Sequence, residues 1–265
     1  MSERLVLPET PRFTRRKLLF GLGAGALAAP LAGCDSGSPQ TLKILEKAEA
    51  LTHAAQRTFL GESAPLAREF SPGDISAYFK PNGSTDPEDA AYVAMKKNNF
   101  ADWKLEVGGL VEKPMKLSLA DLRALPSRSQ ITRHDCVEGW SCIGQWKGAR
   151  LSALLAQAGL KREARYIAFF CADTLEQTTD NTGKYYETIG LTDALHPQTI
   201  LAYEMNYAPL KVEHGAPLRL RVERQLGYKQ AKYIMRIEAI DDFAKISRGR
   251  GGFWEDRGYE WYAGI

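Results

Sequence analysis

The sequence predicts an α+β fold on a mixed sheet, from three observations. Alternating apolar and polar residues mark strands at Trp103–Gly109, Leu218–Glu223 and Tyr233–Ile240, with buried runs at Tyr166–Cys171 and Thr199–Asn206. Helical spacing appears in LKILEKAEALTHAAQRTF (42–59) and LSALLAQAGL (151–160). Strands and helices follow one another irregularly, without the regular β-α-β alternation of a parallel doubly wound sheet.

The chain opens on TRRKLLFGLGAGALAAPLAGC, in which Arg15 and Arg16 precede an uncharged run from Leu18 to Gly33. That pattern predicts a twin-arginine export signal over 1–34 and a periplasmic destination for a protein exported already folded around a cofactor. Leu31-Ala32-Gly33-Cys34 resembles a lipobox, so Cys34 is the expected lipidation site and would tether the protein to a membrane. Plain cleavage nearby is the alternative. GLGAG lies in no β-α-β unit and predicts no dinucleotide loop. The leader holds five basic residues (Arg4, Arg12, Arg15, Arg16, Lys17) and two acidic ones (Glu3, Glu9). Without it Lys+Arg falls from 35 to 30 and Asp+Glu from 32 to 30, so the formal charge falls from +3 to 0. A neutral mature chain argues against nucleic acid as a partner.

Residues 35–63 read as a polar spacer and an amphipathic helix, 64–245 as the main domain, and 246–265 as an aromatic tail packing on it. Asp86-Pro87 predicts a helix through Lys96 with Pro87 in its first position. Ser118 and Asp121 form a capping signal for a helix that stops before Pro126. Gly159 closes the helix at 151–160, and Thr192–His196 makes one helical turn before Pro197.

Three cysteines remain after Cys34, and an odd number cannot all pair within one chain. There is no CxxC pair for a structural zinc site. In RHDCVEGWSC (133–142), Arg133 and His134 favour a thiolate at Cys136 and Asp135 opposes it. By residue type alone Cys136 is a disulfide partner of Cys142, a ligand or nucleophile, or an inert buried thiol. Arg219 and Arg221 alone read as an anion clamp or as a solvated strand face.

Three segments together resemble the molybdenum-cofactor domain of the sulfite oxidase family, and particularly its exported single-domain members, which include the catalytic subunits of periplasmic methionine-sulfoxide reductases. They are RHDCVEGWSCIGQWKGARLSALL, YYETIGLTDALHPQTILAYEMN and HGAPLRLRVERQLGYKQAKYIMRIE. The resemblance implies a sulfite-oxidase-type molybdopterin-binding fold, here without the C-terminal immunoglobulin-like dimerisation domain, which leans towards a monomer. It implies a molybdenum–molybdopterin cofactor with Cys136 as thiolate ligand, a soft donor suited to such a metal. Arg219 and Lys229 are then expected to hold the pterin phosphate, with the backbone at Gly227 and Tyr228 approaching it and His214 bonding the rings or the phosphate. Asn82 would add an early-loop contact, Cys171 would lie near the pterin, and Tyr186 would face the metal's open side.

The arginine-rich pattern that follows the ligand cysteine in sulfite oxidases is replaced by Glu138, Gly139 and Trp140. The expected activity is therefore two-electron reduction of a small S-oxide or N-oxide, with electrons from a membrane b-type cytochrome, since no CxxCH haem motif is present. The competing expectations are a sulfite dehydrogenase, a lipoprotein binding module without metal, and a thiol-redox protein using Cys136 and Cys142.

Overall fold

The computed structural model describes residues 65–180 and 182–265. The export leader, Cys34, the spacer and the helix expected at 42–59 lie outside the described residues. Two five-stranded sheets carry the architecture. The first contains β1 (Leu105–Gly109), β2 (Met115–Leu117), β5 (Tyr166–Thr174), β6 (Lys184–Gly190) and β10 (Ile234–Ile240), in the order β2-β1-β10-β5-β6. Only β1 and β10 pair in parallel there, so the sheet is mixed. The second contains β3 (Ser127–Cys136), β4 (Trp140–Arg150), β7 (Ile200–Met205) and β8 (Ala208–Pro209), with β9 (Arg219–Arg221) pairing β7.

The helices are short and each has a local cause. In α1 (Ala90–Lys97) the Asp89 carboxylate accepts the amides of Ala91 and Tyr92, both at 3.1 Å. The helix therefore starts three residues after Pro87. A carboxylate that satisfies two free amides is a stronger start than a proline that merely tolerates one. In α2 (Leu119–Ala124) Ser118 and Asp121 close the expected capping box. Along α3 (Leu151–Ala158) the buried Leu151, Leu154, Leu155 and Ala158 form one stripe, and Gly159 ends it at φ +71°. The last helix, α4 (Leu191–Ala194), is a single turn.

The α3 stripe packs with Trp103, Leu105, Phe169, Ile189 and Ile237 into the main core. Each fully buried large side chain there contributes roughly 1.5–3 kcal/mol. A smaller cluster of Phe79, Trp146, Ile200, Ala202 and Met205 lies against the second sheet. At Gly148 a Cβ would sit 2.1 Å from the Leu201 carbonyl, so only glycine lets β4 and β7 approach so closely.

The hairpin β3–β4, paired from Ser127↔Ala149 to Cys136↔Trp140, is the longest regular feature, and the sequence reading assigned it no strands. Its apolar positions are interrupted by inward-facing Gln130, Thr132 and His134, all buried, which hide the alternation. The 246–265 segment contributes buried Phe253, Glu255 and Asp256, and Phe253 stacks on Tyr185 with centroids 5.7 Å apart.

Candidate functional site

Cys136 is the last residue of β3, at the tip of the hairpin. The tight return Val137-Glu138-Gly139, with Gly139 at φ +84° and its amide on the Cys136 carbonyl at 3.0 Å, holds the thiol half-buried at a cleft. Burial raises the Cys136 pKa, and the Glu138 charge adds to that; the amides of Glu138 and Val137 and the nearby Lys80 oppose it. The expected help from Arg133 does not reach the thiol, because Arg133 bonds Asp135 at 2.9 Å and is exposed. Cys136, Cys142 and Cys171 are all free, so no disulfide joins the hairpin. Glu138 and Trp140 brace its tip, the Trp140 Nε1–H donating to Glu138 Oε2 at 2.9 Å.

The cleft beside Cys136 has a volume of about 120 Å³. Asn82 and Gly83 from the early loop, Asp173, Tyr185, Tyr228 and Lys232 help line it, as do Trp254 and Tyr259 from the tail. Lys232 fastens the early loop: its ammonium donates to the carbonyl of Asn82 at 2.6 Å, to that of Ser84, and to that of Glu213 at 3.2 Å. Burial, with Arg219 beside it, lowers the Lys232 pKa to about 7. Burial likewise raises the Asp173 pKa to about 7, and its Oδ1 has no partner among the described residues.

Near Lys232 lies a buried basic cluster. Arg219 and Arg221 are both fully buried, 4.9 and 4.3 Å over the Trp146 ring. Arg221 has its counter-charge, Glu223, with Nε to Oε1 at 2.9 Å. It also donates to His134 Nδ1 at 2.9 Å, which puts the ring proton on Nε2. Arg219 has no carboxylate within salt-bridge reach among the described residues. One of its NH groups donates to the His214 carbonyl at 3.0 Å, while Nε and the other terminal nitrogen are unpartnered, as is His214 Nδ1. Burial and Arg219 push His214 down to about 4, and burial and Arg221 hold His134 well below the usual histidine range. Both rings are neutral at pH 7.

The basic cluster adjoins the cleft at Gly215, where a Cβ would lie 2.9 Å from Lys232 Cβ and 3.2 Å from Arg219 Cβ. Such a set of buried donors without an anion is costly unless an anionic group completes it.

Several expected residues sit elsewhere. The Tyr186 hydroxyl donates to Asp256 at 2.8 Å and lines a separate, larger cleft of about 620 Å³, because neighbouring strand residues face opposite ways. Tyr185 lines both clefts and reaches the Cys136 side, its hydroxyl donating to the Tyr228 carbonyl. Cys171 is buried against the larger cleft, with its pKa raised well above the usual value by burial and Asp173. The Lys229 ammonium points away from the Cys136 cleft and is held by Glu187 and Glu255, each at 2.5 Å. Gly227 does permit a close approach, but the neighbour is His134, whose Nε2 would lie 2.5 Å from a Cβ. Lys232, Asp173 and Tyr185 have no role in the sequence reading, and His134 enters it only as a positive charge favouring the Cys136 thiolate, which burial and Arg221 oppose by lowering its pKa well below the usual value. Lys232 closes the GYK-QAK run and His134 precedes Cys136 by two residues, so both were within the quoted motifs.

Among the described residues no three His, Cys, Asp or Glu side chains cluster to hold a metal by themselves. The family profile "Oxidoreductase molybdopterin binding domain" matches residues 92–245. A protein of Azospira oryzae, provisionally named protein-methionine-sulfoxide reductase subunit YedZ1, is 40% identical over 64% of this chain and 59% of its own. The protein-methionine-sulfoxide reductase catalytic subunit MsrP of Campylobacter jejuni is 30% identical over 98% of this chain and 84% of its own. The MsrP of Xanthomonas axonopodis pv. citri is 32% identical over 85% of this chain and 70% of its own. The chain belongs to the oxidoreductase molybdopterin-binding family and is an enzyme that uses a molybdenum–molybdopterin cofactor.

Proposed function

We propose that this protein is an exported reductase of S-oxides, methionine sulfoxide foremost, that binds molybdenum through Cys136 and the pterin phosphate through Arg219. The observation that carries this reading is Arg219, fully buried, with two guanidinium nitrogens unpartnered beside the cleft that exposes Cys136. A planar fork without a carboxylate matches a phosphate. His214 Nδ1 offers a further contact, and Asp173 Oδ1 an acceptor for ring N–H groups.

When bound, the cofactor supplies a metal that changes oxidation state by two electrons and accepts an oxygen atom. The chain supplies the rest. Cys136 gives a soft donor, with the Val137 and Glu138 amides directed at its sulfur to favour the thiolate. Lys232 holds the Asn82–Ser84 loop over the cleft, and Tyr185 and Tyr228 narrow the access of water. The net reaction takes up two electrons and two protons and converts an S-oxide into a sulfide and water. Glu138, paired with Lys80 at 3.5 Å, stands beside the thiol where the resemblance to sulfite oxidases would call for an anion-binding arginine pattern.

The names of the MsrP relatives support the substrate class. Arg15-Arg16 and Cys34 support export and lipid anchoring, which would keep the enzyme near a membrane b-type cytochrome as electron donor. The test is turnover by protein purified from cofactor-producing cells, with a reduced viologen dye as donor. Methionine sulfoxide and dimethyl sulfoxide are compared with trimethylamine N-oxide, and sulfite is tried in the reverse direction with ferricyanide. Dye oxidation that depends on S-oxide supports the reading. Molybdenum-loaded protein that turns over only sulfite or only the N-oxide overturns it.

A further inference from the structure

Lys229, one of the buried cations among the described residues, has a task that neither the motifs nor the family match assigns. Lys229 is fully buried, and both of its carboxylate partners come from distant segments, Glu187 from β6 and Glu255 from the C-terminal strap over 251–262. The strap crosses directly above this cluster. Gly252 bridges to Glu187, and a Cβ on Gly252 would lie 2.0 Å from Glu255 Oε2. Trp261 donates to Thr188 at 2.8 Å and stands 5.4 Å from the ammonium, while Tyr228 donates to the Glu260 carbonyl at 2.7 Å.

The same strap supplies the aromatic wall of the Cys136 cleft. Trp254 and Tyr259 stack 5.3 Å apart, and Tyr259 meets Tyr228 edge-on at 5.2 Å. Lys229 and Tyr228 are neighbours in the turn Gly227–Lys229, so whatever fixes the ammonium also fixes the wall.

We propose that Lys229 is a positioning residue: with Glu187 and Glu255 it locks the strap onto the Gly227–Lys229 turn and so sets Trp254 and Tyr259 as the surface that receives the apolar part of the substrate. The substrate half of this inference rests on the S-oxide reading; the lock does not. A fully buried, multiply hydrogen-bonded ion cluster contributes directional specificity that an apolar contact lacks. Here it joins three segments at one point.

The test uses Lys229→Met, which strands two carboxyls, and Lys229→Met/Glu255→Gln, which removes the ammonium and one carboxylate and leaves Glu187, whose pKa burial raises, as the single acid of the cluster. Hydrogen exchange of the strap amides, molybdenum content and steady-state kinetics are read on each foldable form. The lock predicts strap amides exchanging at least tenfold faster in the double variant, with molybdenum per chain as in the wild type. It also predicts KM for methionine sulfoxide raised about fivefold or more, with kcat within a factor of two. Unchanged strap exchange with lost molybdenum would make Lys229 a cofactor contact and overturn the proposal. If the wild type reduces no S-oxide, the functional reading fails, while the exchange and metal measurements still decide the lock.

Discussion

Arg219 and Lys229 stand ten residues apart in the same motif, both fully buried, and the protein treats them in opposite ways. Lys229 has two carboxylates at 2.5 Å, whereas Arg219 has two unpartnered nitrogens and no carboxylate in reach among the described residues. The difference separates a cation used for structure from one left for a ligand. A buried charge that its own chain completes contributes to the fold, and one left incomplete is an account of what must bind.

Removing each cation breaks that comparison most directly. Lys229→Met leaves the carboxyls of Glu187 and Glu255 buried together and is expected to destabilise the fold by about 3–5 kcal/mol, measured by urea denaturation. Gly227→Ala drives a methyl into His134 and is expected to cost roughly 1–3 kcal/mol in the same assay. Arg219→Met should do the reverse in cofactor-free protein, raising stability by about 1 kcal/mol because an unpaired buried charge is relieved. Yet it should lower the cofactor content of the purified enzyme. A loss of stability for cofactor-free Arg219→Met comparable to that of Lys229→Met would erase the distinction.

The two regions also differ in their response to pH. His214, depressed to about 4, and His134, held well below the ordinary histidine range by burial and Arg221, bind fewer protons folded than unfolded. Their contribution is complete above the ordinary histidine pKa near 6.5 and is lost as the pH falls towards about 4. Glu187 is raised well above the usual carboxyl range, by burial first and by Glu255 next, so it binds more protons folded than unfolded. Its contribution is present at low pH and is lost as the pH rises through its folded pKa. Urea midpoints of cofactor-free protein against pH should therefore show an acid limb that His214→Asn flattens and an alkaline limb that Glu187→Gln flattens.

Much of this arrangement was legible in the residues. Ser118 and Asp121 cap α2, Gly159 ends α3, the strands β1, β7, β9 and β10 fall within the alternating or buried runs read for them, and β5 starts with its run at Tyr166 but continues past Cys171 to Thr174. The start of α1 was not, because Asp89 outcompetes Pro87 through two side-chain hydrogen bonds that composition does not display. The strands β3 and β4 were missed because buried Gln130 and His134 break the apolar alternation. Within the site, the two lysines of GYK-QAK are equivalent in sequence. What separates them is Glu187 and Glu255, which lie 42 and 26 residues from Lys229. Tyr185 and Tyr186 are likewise distinguished only by strand facing, which one residue of register inverts.

The most direct measurement of the central claim is molybdenum per chain, with sulfur coordination of the metal by X-ray absorption, in wild type and Cys136→Ser from cofactor-producing cells. The account predicts about one molybdenum per chain in the wild type, and one sulfur neighbour fewer or a loss of metal in Cys136→Ser. The same metal content and the same sulfur shell in both proteins would contradict it.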